Sequence, residues 1–108
     1  MKIQKTQTNY HTSFGKFIKT SGKREEIAKA KDMLWTVEEP HISLSQKGLK
    51  NDVLYIISGK EYDKFIDLTK EVYFRDLRTD LEKFMPFKPK TKKISSVLKK
   101  LRENKFKL

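Results

Sequence analysis

The tripeptide Ser-Gly-Lys occurs twice, at 21–23 and 58–60, each time between an apolar stretch and a segment of helical period. "FIKTSGKREEIAKAKDML" begins at Phe17, and "LYIISGKEYDKFIDLTKE" begins 37 residues later at Leu54. Glycine punctuates regular structure, so each copy reads as strand, tight turn and helix. In the second copy Ser58 and Glu61 have the spacing of a capping box, which marks a helix start. In the first copy Gly22 with Glu25 marks the start, and Glu25 and Glu26 suit the positive end of a helix.

The first helix is expected over about 23–35, with Ile27, Ala30 and Leu34 on one face. Pro40 separates it from "HISLS", where Ile42 and Leu44 alternate with polar residues as in a half-buried strand. "QKGLKND" supplies a turn, and "VLYII" reads as a central strand. A long second helix follows, its apolar stripe formed by Tyr62, Phe65, Ile66, Val72, Tyr73, Leu77, Leu81 and Phe84. Thr79 with Glu82 forms a second capping-box spacing, so a break near Arg78 is expected, and Pro86 stops the helix.

The order β-α-β-β-α is most of a split βαβ layout. The expected class is therefore α+β, related to the ferredoxin-like arrangement: a small antiparallel sheet with two helices on one face, then a short basic C-terminal helix. No fourth strand stands out after Pro86, and "MKIQKTQTNY" is a candidate edge strand. Residues 1–86 are expected to form the globular domain and 87–108 a basic connector and amphipathic helix. Twelve aromatic residues, Trp35 among them, argue for a real core rather than disorder.

There is no cysteine, which excludes disulfides, thiol catalysis and thiolate metal sites. Residues 1–10 lack the apolar centre of a signal peptide, and no apolar run is long enough for a membrane span, so a cytoplasmic location is expected. No cofactor or metal is called for.

The net charge of +11 is uneven. Residues 1–86 hold 16 Lys and Arg against 13 Asp and Glu, whereas 87–108 hold nine against one. This asymmetry is the strongest functional signal in the chain. Read as a helix, 93–105 gathers Ile94, Val97, Leu98 and Leu101 into a wedge of roughly 100°. Lys92, Lys93, Lys99 and Lys100 fall near the opposite side. Such a short helix needs a surface to fold against.

The leading expectation is a non-enzymatic protein whose Lys90, Lys92, Lys93, Lys99, Lys100, Arg102, Lys105 and Lys107 contact the phosphates of DNA or RNA. The alternative is an inhibitor or adaptor that grips an acidic or nucleic-acid-processing protein, with Val97 and Leu101 as anchors in its groove. A third reading is a small toxin-like ribonuclease using His11 and His41. An anionic membrane would be bound only weakly, and the basic segment could also serve as a solvated tail. Lysine outnumbers arginine 21 to four, which favours attraction to the backbone over base reading. Tyr10, Phe14 and Phe17 are candidates for stacking on bases, with core packing the stronger expectation for at least one of them.

Overall fold

A computed structural model of the chain describes residues 16–86 and 88–106. The candidate N-terminal edge strand, Tyr10, His11, Phe14 and Lys107 lie outside the described residues.

Four strands and five helices follow one another among the described residues. They are β1 (Lys16–Gly22), α1 (Arg24–Leu34), β2 (His41–Gln46) and β3 (Asp52–Ser58), then α2 (Gly59–Leu68), α3 (Phe74–Thr79) and α4 (Leu81–Phe84), then β4 (Lys90–Lys93) and α5 (Ile94–Arg102). Both Ser-Gly-Lys segments lie where a strand hands over to a helix. At the first, the Glu26 carboxylate accepts the Lys23 backbone N–H at 2.9 Å, so the helix starts one residue later than expected. At the second, Ser58 holds the cap position, but its hydroxyl makes no capping bond. Gly59 turns the chain there with φ 62°, a left-handed value that favours glycine.

The strand order is β2-β3-β1-β4. β3 pairs antiparallel with both β1 and β2, but β4 runs parallel to β1. The sheet is thus mixed rather than antiparallel. The reason lies in the segment expected to be one long helix. A straight helix from Tyr62 to Phe84 would measure about 34 Å, whereas a seven-residue strand spans about 23 Å. Its far end would overhang the sheet. The chain instead breaks after α2 and again at Asp80, where the backbone leaves helical values (φ −124°, ψ 48°). Thr79 does not cap the next helix; its hydroxyl donates to the Arg75 carbonyl. The doubled-back segment brings Phe65, Leu77 and Leu81 into one cluster and returns the chain to the end of the sheet it left. Ser58 lies opposite Lys16, and Lys90 re-enters beside Ile18, so β4 must run alongside β1 in the same direction.

Helices cover both faces of the sheet, not one. Leu54 and Ile56 of β3 join a cluster with Ile27 and Leu34 of α1 and with Ile94, Val97, Leu98 and Leu101 of α5. Their neighbours Tyr55 and Ile57 join the second cluster, with Phe65, Leu77 and Leu81. Side chains alternate across a strand, so a strand buried on both sides must be apolar at every position, as "VLYII" is. Trp35 belongs to neither core; it is exposed at the end of α1. Phe17 is buried, its ring centroid 5.7 Å from that of Tyr55.

The segment after Pro86 completes the sheet and one of the two cores. β4, "KTKK", is exposed at all four positions and is a strand only by virtue of its pairing with β1. α5 follows at once, with Lys93 at its N-cap position but no capping side-chain bond, and seats its aliphatic wedge against α1. Gly22 permits this close approach, since a Cβ there would lie 2.8 Å from Ile94 Cγ2. None of the helices described is long and apolar enough to cross a membrane.

Candidate nucleic-acid interface

Lys88, Lys90 and Lys92 alternate with Pro89 and Thr91. In extended chain, that spacing directs alternate side chains to one side. The pairing of β4 with β1 sets Lys90 and Lys92 beside Ile18 and Thr20, and Lys16 and Lys88 face the same hollow. α5 then adds Ser96 and Lys100, four residues apart on one flank of the helix, and the following turn adds Lys105 and Phe106. The result is a pocket of about 420 Å³ lined by six lysines. Val97 also borders it, and Glu61 at the start of α2 is its one carboxylate among the described residues.

The electrostatics follow from this crowding. The Lys16 ammonium is held below the ordinary lysine value, first by partial burial and then by the positive charges of Lys100, Lys92 and Lys90. Lys16 thus senses the charges of three lysines from two other stretches of sequence. A pocket of this kind offers hydrogen-bond donors and positive potential to an anion, with Phe17, Ile18, Val97 and Phe106 as its apolar lining.

The expected contact residues divide into groups. Lys90, Lys92, Lys100 and Lys105 converge on the pocket. Lys93, Lys99 and Arg102 are exposed but do not line it. Lys105 also stands 3.9 Å from Glu103, an exposed pair of small energetic consequence. Val97 and Leu101, considered as groove anchors, are only 2% and 7% exposed and lie in the chain's own core. Lys16 and Lys88 were not anticipated. The alternation from Lys88 to Lys92 was a readable strand signal, but Lys16 joins the site only through the sheet order.

His41 Nδ1 lies 2.7 Å from the Glu39 carbonyl oxygen, away from the lysine pocket. Among the described residues no group of three His, Asp or Glu side chains could hold a metal ion. No family model, no curated protein and no solved structure matches this chain.

Proposed function

We propose that this protein binds nucleic acid without acting on it chemically, through the phosphate backbone. Lys90, Lys92, Lys100 and Lys105, joined by Lys16 and Lys88, form the centre of the contact, and Lys93, Lys99 and Arg102 extend it. The observation that carries this reading is the convergence of six lysines on one concavity. Lysines on an edge strand also deter edge-to-edge pairing of sheets. That role needs charge on β4 alone; it does not require Lys16 and Lys100 to face the same space. The apolar side of α5 is consumed inside the molecule, which favours a charge-driven contact over insertion into a partner's groove.

Cations that neutralise phosphates release condensed counterions, so affinity must fall steeply with salt. If about five lysines engage a duplex, the log–log slope is about −4 to −5. Titration of a labelled duplex at several salt concentrations tests this, and salt-independent binding, or none, would overturn it. A pull-down from extract with and without nuclease separates retention through nucleic acid from direct protein contact.

A further inference from the structure

Three of the chain's four arginines meet at one place that the lysine pocket does not include. Arg24, Arg75 and Arg78 line a groove of about 770 Å³ together with Lys31, Lys47 and Phe74. Among the described residues, Asp52 is its one carboxylate. Arg24 lies two residues beyond Gly22, the last residue of β1, whereas Lys16 begins that strand, so the two sites lie about 20 Å apart at opposite ends of it.

The groove is braced from below. Arg24 Nε stands 3.4 Å from Asp52 Oδ2, and Asp52 is buried. Arg78 Nη2 donates to the Ser45 carbonyl at 3.4 Å, and Lys31 Nζ donates to Ser45 Oγ at 3.3 Å. Gln46 Nε2 donates to the backbone carbonyls of Arg78 and Thr79. The end of β2 thus holds cations from both helical layers in place before any ligand arrives, which lowers the entropic cost of binding.

Phe74 lines the groove, and Tyr73 joins Phe74 and Arg75 around an adjoining hollow. Tyr73 is 79% exposed and Phe74 48% exposed. Phe74 is propped edge-on against buried Phe65, with centroids 6.4 Å apart and planes at 90°. One side of the ring is fixed by the core while the rest of it remains open to solvent. Guanidinium groups pair with phosphate in bidentate fashion and stack on planar rings, and aromatic side chains stack on unpaired bases.

We propose that this groove binds single-stranded nucleic acid, with Phe74 and Tyr73 stacking on bases while Arg24, Arg75 and Arg78 engage the phosphates. A duplex hides its base faces, so it uses the charge but not the rings. An acidic peptide likewise satisfies the cations and leaves the rings unused. The groove stands independently of the lysine pocket, and different substitutions test the two.

The experiment uses the full chain and labelled oligouridine and oligothymidine strands, with a mixed-sequence duplex for comparison. Phe74→Leu is expected to weaken single-strand binding about ten-fold and leave duplex binding unchanged. Arg75→Glu, at a side chain 88% exposed and clear of both cores, is expected to weaken single-strand binding several-fold without affecting folding. Ultraviolet cross-linking of bromouridine-substituted strands, mapped by mass spectrometry, should mark Tyr73 or Phe74. Both effects should persist in a Lys90→Gln/Lys92→Gln/Lys100→Gln background. Full single-strand affinity in Arg75→Glu, cross-links only at the lysine pocket, equal losses on strand and duplex in Phe74→Leu, or displacement by polyglutamate as effective as by unlabelled strand would each overturn the proposal.

Discussion

Lys90 stands beside Ile18 in the parallel pairing of β1 with β4. That register turns a basic run into a pocket, because it brings Lys88, Lys90 and Lys92 to Lys16 and positions α5 to add Lys100. Crowded cations repel, but each unit pair in water costs only about 1 kcal/mol at 4 Å. Each aliphatic side chain that α5 buries contributes about 1.5–3 kcal/mol. Four of them, Ile94, Val97, Leu98 and Leu101, outweigh the repulsion and hold the lysines together.

The docking of α5 makes it part of the fold. Leu101→Ala is expected to cost about 2–3 kcal/mol in urea unfolding followed by circular dichroism. Truncation after Pro86 should unfold the protein rather than merely discharge it, since it removes β4 and bares the cluster around Ile18 and Leu54. Charge-only substitutions are therefore the clean probes of binding.

Gly22, at the end of β1, is a point of close approach to α5. Gly22→Ala places a Cβ 2.8 Å from Ile94 Cγ2 and 2.9 Å from Glu26 Oε1. Overpacking of this kind costs about 1–3 kcal/mol. Adding Ile94→Ala should relieve part of that cost, so a double-mutant cycle is expected to show coupling between the two positions.

Glu82 ties α4 to the sheet. Lys19 Nζ lies 2.8 Å from its Oε2, and Tyr55 donates its phenolic hydrogen to the same oxygen. The Lys19 bond first, then the Tyr55 bond, holds the Glu82 carboxyl below its ordinary value of 4.5. Burial and then Glu82 push the Tyr55 phenol up, so it stays a donor at neutral pH. A carboxylate whose folded value is depressed stabilises the fold fully above its unfolded value and loses that contribution as pH falls below it. Stability should thus drop on acidification below about pH 4.5, and Glu82→Gln should flatten that limb. At neutral pH the substitution should cost only about 0.5–1 kcal/mol, because the ion pair is partly exposed. Thermal melts across pH check both expectations.

Lys16 gives a different pH signature. Its ammonium is depressed below 10.5 by burial and by its lysine neighbours. A bound phosphate favours the charged form and raises that value again. Binding at alkaline pH, between the depressed value and 10.5, should therefore take up protons. Calorimetry in buffers of differing ionisation enthalpy reads the uptake, and Lys16→Gln should reduce it.

Much of the fold was legible because local chemistry and tertiary structure agree. Gly22 and Gly59 mark two strand-to-helix junctions, Ile27, Ala30 and Leu34 mark a buried helical face, and Ile42 and Leu44 alternate as β2 requires. The unbroken run from Val53 to Ile57 already implied a strand covered on both faces; reading it only as central missed the second helical layer. β4 could not be read from hydrophobic period because "KTKK" has none; it exists through pairing alone. The wedge of α5 was visible, but whether it faces its own core or a partner depends on contacts far away in sequence. Four of the six pocket lysines, Lys90, Lys92, Lys100 and Lys105, followed from the charge run, while Lys16 required the strand order.

The most direct test compares the salt dependence of nucleic-acid binding by the natural chain and by Lys90→Gln/Lys92→Gln/Lys100→Gln, with thermal unfolding recorded for both. The natural chain should bind a duplex with a log–log slope of about −4 to −5, and the variant should keep its fold while its slope becomes shallower by about 2–3. A folded variant that binds with the natural affinity and slope would contradict the assignment of these lysines to the phosphate backbone.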